Sequence, residues 1–140
     1  MSLTSIRAAL DARLEAFTPA LSIAWENMAY KPAANAPFVK VDLLPARTEN
    51  PSMMGADAGT DLRRMRGIYQ LLLNYPNNAG PGGAAVKADA LVAHFPRGLS
   101  LVYGGVTVRV FNTPSIAPHF NDGSWYVLPV SIEYQADLYS

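Results

Sequence analysis

Gly67-Ile68-Tyr69-Gln70-Leu71-Leu72-Leu73-Asn74-Tyr75-Pro76 is a nearly continuous apolar run, bounded by Gly67 and Pro76 and too short for a helix of its own. Runs of that kind suit a strand covered on both faces, so this stretch reads as a buried strand near the middle of a sheet. Tyr69, Gln70 and Tyr75 add polar atoms along it, which suits a strand partly solvated on one face or touching a partner there.

Upstream, Leu3, Ile6, Leu10, Leu14 and Phe17 recur every three or four residues, with Arg7, Asp11, Arg13 and Glu15 between them. That spacing predicts an amphipathic helix over 3–17, capped by Ser2 or Thr4 and stopped by Pro19. Leu21 to Trp25 follows as a short strand with Trp25 on the buried side. Glu26 to Pro37 has two prolines and no periodicity and reads as a loop. Phe38 to Leu44 alternates, with Val39, Val41 and Leu43 on one face, and reads as a half-buried strand ended by Pro45. Ala46 to Arg63 then forms a connection too long for a simple turn, and such loops are usually functional or disordered. Met53 and Met54 in its middle either contact a protein partner or fold back onto the domain. Arg63, Arg64 and Arg66 form the densest basic cluster. A phosphate site would need converging donors or more cations, so the favoured reading is ion pairing with Asp57 and Asp61.

Downstream, Asn77-Asn78-Ala79-Gly80-Pro81-Gly82-Gly83 is a turn rather than a phosphate loop, because Gly83 is followed by Ala84, Ala85 and Val86 instead of Lys and a hydroxyl residue. Ala84, Ala88, Leu91, Val92 and Phe95 predict a second helix over 84–95, ended by Pro96 and Gly98. Gly104-Gly105 between two β-rich runs is a two-residue hairpin signal. Pro114 and Pro118 allow only edge or irregular extended structure over 112–120, and Asn121-Asp122-Gly123 is a turn. Trp125 to Ala136 is the last strand, with Pro129 predicting a bulge or an edge.

The chain has 140 residues, enough for one domain over 1–140 with an ordinary core. Eleven Lys plus Arg balance eleven Asp plus Glu, so no global field draws it onto nucleic acid or anionic lipid. With no cysteine, disulfides, thiolate nucleophiles and Cys-based zinc sites are excluded together. No secretory signal or apolar run of ~20 residues is visible, so a soluble, intracellular protein is expected. The two histidines, His94 and His119, have no ligand frame; His119 beside Asp122 reads as a surface hydrogen-bond pair, and no serine sits in a nucleophile elbow. Asp42, Glu49 and Glu133 could be paired as carboxylates only by assuming a fold.

Several strings in order resemble the phage tail terminator-like family of long non-contractile tails. They are Ile6-Arg7-Ala8-Ala9-Leu10, Arg66-Gly67-Ile68-Tyr69-Gln70-Leu71 with Tyr75-Pro76, Ala90-Leu91 with Phe95-Pro96-Arg97-Gly98, Gly105-Val106-Thr107-Val108-Arg109, Thr113-Pro114-Ser115, and Pro129-Val130-Ser131-Ile132. The resemblance implies an α+β subunit, a mixed or antiparallel sheet with two helices packed on one face. It implies a structural protein without catalytic residues, metal or cofactor, assembling as a homo-oligomeric ring, typically a hexamer. That ring would cap the tail tube, stop its polymerisation and offer a surface to the head-completion protein, in the virion tail after assembly in the bacterial cytoplasm. Its partners would be its own copies, the tube protein and the connector, with DNA only in passage and no membrane. Candidate contacts are Met53, Met54, Asp57, Arg63, Arg64, Asn77 and Asn78, on segments flanking the central strand. Two alternatives stand beside it: another head-tail connector or neck protein, and a small-ligand binding protein or enzyme whose pocket is lined by Tyr69, Tyr103, Trp125 and Tyr126.

Overall fold

The computed structural model describes residues 2–17, 22–25, 36–49, 62–76 and 82–139. In chain order its elements are α1 (Ser2–Glu15), β1 (Ile23–Ala24), β2 (Phe38–Glu49), β3 (Leu62–Pro76), α2 (Gly82–His94), β4 (Ser100–Tyr103), β5 (Val106–Val110), β6 (Ser115–Ile116), β7 (Phe120–Asp122) and β8 (Trp125–Tyr139). The described strands form one mixed, curled sheet in the order β1-β2-β3-β8-β5-β4, with β6 and β7 also paired to β8. The fold is α+β.

β3 and β8 are the middle of the sheet. They pair antiparallel without a register shift from Leu62↔Tyr139 to Pro76↔Trp125. At the strand rise of roughly 3.4 Å per residue this ribbon is about 50 Å long before curling. Along its other edge β8 receives β5, β6 and β7 in succession. The 67–76 stretch is therefore central, as its composition implies, but it shares that place with β8.

Alternation sorts the two faces. Tyr69, Leu71 and Leu73 of β3, Val130, Ile132, Tyr134 and Ala136 of β8, and Val108 and Val110 of β5 are buried beneath the helices. α1 contributes Ile6, Leu10 and Leu14, and α2 contributes Ala84, Ala88 and Leu91, with Phe17 and Phe95 just beyond their ends. The small alanines of α2 let it sit close to the sheet. Leu3, placed in the apolar stripe by its spacing, is instead 38% exposed, in the first turn of α1. Trp25 packs, partly buried, against the core as expected.

Three local expectations are corrected. α1 begins at Ser2, so Thr4 lies inside its first turn rather than capping it. Pro45 does not end β2, which continues to Glu49; the register against β3 shifts between Pro45 and Arg47, a bulge that absorbs the proline and extends the ribbon. β3 correspondingly starts at Leu62, leaving 50–61 as the connection. Pro129 causes no bulge against β3, where Leu72↔Pro129 stays in register. The Ala117 N–H donates to the Pro129 carbonyl (3.0 Å), so that carbonyl points away from β3. In an antiparallel pair a residue's N–H and C=O share a side, so the donor that proline lacks is missing from the β6 edge, where β6 ends. The Gly104-Gly105 hairpin is as expected, with φ of 58° and 79°.

Candidate interaction surface

Two side-chain locks fix the helices on the sheet. The Tyr69 hydroxyl donates to Asp11 Oδ1 (2.5 Å), tying β3 to α1. Burial first, then the adjacent Asp11 carboxylate, push the Tyr69 phenol far above its ordinary range. Asp11, assigned by spacing to the polar side of α1, is thus turned inward. At the far end of the helices, Arg13 donates from Nε (3.0 Å) and Nη2 (2.8 Å) to the His94 carbonyl, and His94 Nε2 donates to the Arg13 carbonyl (2.6 Å). Both carbonyls lie in a last helical turn, where no intrahelical donor remains, so each side chain caps the other's helix. Phe17 stands edge-on to the His94 ring at 5.2 Å and closes the lock.

The opposite, outer face of the sheet is polar toward its β5 side. Arg64 pairs with Asp137 directly across the strand boundary (Nε to Oδ1 2.9 Å, Nη2 to Oδ2 3.4 Å). Arg66 donates to Gln135 Oε1 (3.2 Å) and lies over the Phe111 ring at 5.7 Å. Asn112 donates to Glu133 Oε2. Arg64 is thus ion-paired with Asp137 of β8; the expected partners Asp57 and Asp61 lie outside the described residues. Beside it Thr107, Arg109, Gln135 and Asp137 line a groove of about 210 Å³.

Of the candidate contact residues, Arg64 is placed by this pairing, and Arg63 stands in β3 opposite Leu138. Met53, Met54, Asp57, Asn77 and Asn78 lie outside the described residues, on the segments that β3 joins at its two ends. The four aromatics of the pocket alternative do not converge. Tyr69 is in the core, Tyr103 is 51% exposed on β4, Trp125 packs edge-on to Phe38, and Tyr126 is stacked under His119 with ring centres 4.5 Å apart. His119 thus lies on Tyr126 instead of pairing with Asp122. Among the described residues no group of three or more His, Asp or Glu side chains could hold a metal ion. No helix among them is long and apolar enough to cross a membrane.

The described residues form an α+β domain whose polar side chains serve ladders, caps and an outer face. The profile of the phage tail terminator protein family matches residues 5–134, and the chain belongs to that family. A solved structure that carries only a serial designation is 30% identical, covers 100% of this chain and 99% of its own, and superposes with a TM-score of 0.77. No curated protein matches the chain. Family membership gives the protein a structural role in a phage tail, and with it a place among structural proteins rather than enzymes.

Proposed function

We propose that this protein closes the tail tube: copies assemble as a ring, of the hexameric kind, on the last tube ring, stop further tube polymerisation and present a joining surface to the head-completion protein. The family match across residues 5–134 is the observation that carries this reading. The balanced charge, eleven cations against eleven anions, supports it as well, since a channel that passes DNA must not retain it. A head-to-tail interface that closes after a fixed rotation gives a ring, and it needs two different contact surfaces on one subunit. The rigid β3 strand joins 50–61 at one end and 77–81 at the other. In this reading Met53, Met54, Asp57 and Arg63 serve one contact and Asn77 and Asn78 another, with assembly in the bacterial cytoplasm and the finished ring in the virion tail.

Native mass measurement with electron microscopy tests the ring, alone and with tube protein present. One closed oligomer is the expected result. A monomer at every concentration, with no binding to tube tips, contradicts the reading. In the same samples, slower hydrogen exchange at 50–61 and 77–81 on assembly supports the contact assignment, and unchanged exchange there removes it.

A further inference from the structure

The groove on the outer face has an unusual balance of hydrogen-bonding groups. Its acceptors are engaged within the chain: both Asp137 oxygens accept from Arg64, and Gln135 Oε1 accepts from Arg66. Its donors are not. Among the described residues the exposed Arg109 guanidinium has no hydrogen-bond, ion-pair or ring partner, the Gln135 amide nitrogen is left over once its oxygen faces Arg66, and the Thr107 hydroxyl is unused. Register brings these together. Arg109 stands directly opposite Gln135 and Thr107 opposite Asp137, with Arg66 and Arg64 on the next strand in the same two rows.

From this arrangement we infer that the groove is a receptor site for a carboxylate side chain of a protein partner, held by the Arg109 fork, the Gln135 amide and the Thr107 hydroxyl. A guanidinium presents parallel N–H groups that match a carboxylate bidentately, and charge-assisted bonds of this type are the stronger ones. Charge points the same way. Among the described residues Arg64 is matched by Asp137, whereas Arg109 has no carboxylate facing it. Nucleic acid fits less well, because binding a phosphate backbone draws on many cations and the groove offers, among the described residues, one arginine without a partner. Arg64 and Arg66 act as positioning residues here: each holds acceptor oxygens of the groove, Arg64 those of Asp137 and Arg66 that of Gln135. The site does not depend on ring formation or tube capping.

Side-chain NMR of the full chain tests the site, following the Arg109 Nε–H and Gln135 amide signals during titration with a capped tri-glutamate peptide, with acetate and with inorganic phosphate at matched ionic strength. The expected result is saturable shifts of both signals with the peptide, stronger than with acetate or phosphate. Arg109→Gln, an exposed change, should weaken the peptide by about tenfold or more, while Lys87→Gln on α2, on the helix-covered side of the sheet, leaves it unchanged. Absence of saturation, survival of binding in Arg109→Gln, or phosphate or acetate binding as tightly as the peptide would overturn the inference.

Discussion

Gly67 shows how one residue can hold a sheet's shape. A Cβ there would stand 2.5 Å from Tyr134 Oη and 2.6 Å from the Leu44 carbonyl oxygen, so the side chain of Tyr134, directly opposite in register, lies across the bare backbone. Gly67→Ala should destabilise the fold by about 1–3 kcal/mol, read from denaturant midpoints. Tyr134→Phe in the same background should restore only part, because the Leu44 carbonyl cannot withdraw as a side chain can. The buried phenols yield a second expectation. Tyr69 and Tyr134 are pushed up by burial, Tyr69 additionally by Asp11. In the unfolded chain they ionise near pH ~10, so above that the unfolded state holds fewer protons and stability falls with pH. Their contribution is fully present below pH ~10, and Tyr69→Phe should flatten the alkaline loss seen by chemical denaturation across pH ~9–12. Neither point could be read from sequence. Gly67 looks like a strand boundary, and which atoms meet the Tyr69 hydroxyl depends on a helix 58 residues away in the chain.

At the scale of elements, periodicity located both helices, the Gly104-Gly105 hairpin and the long last strand, because burial of one face imposes a period that the chain itself displays. Pro45, and the bulge alternative at Pro129, misled for one physical reason. A proline breaks a ladder only on the side its nitrogen faces, and that side is set by tertiary pairing. The Arg13–His94 lock belongs to this scale too. Its two residues are 81 apart, and each end alone reads as an ordinary polar residue near a helix terminus. Since each caps the other's helix, Arg13→Ala and His94→Ala should each cost about 1–3 kcal/mol, and the double variant should cost clearly less than their sum. Strict additivity in that cycle would show that the two caps act independently.

For the whole molecule, ordered strings along the chain carried the family, and the profile match over residues 5–134 agrees with them. The surfaces were less legible. The contact residues chosen from loop composition fall mostly outside the described residues, whereas the Arg109 groove arises from β3, β5 and β8 lying side by side and has no continuous signature. In the proposed function this chain ends a tube. Tail-tube protein polymerised with and without it, and imaged by electron microscopy, tests that claim most directly. The expected result is short tubes bearing a ring at one end, their length falling as more of this protein is present. Tubes of unchanged length with bare ends would contradict it.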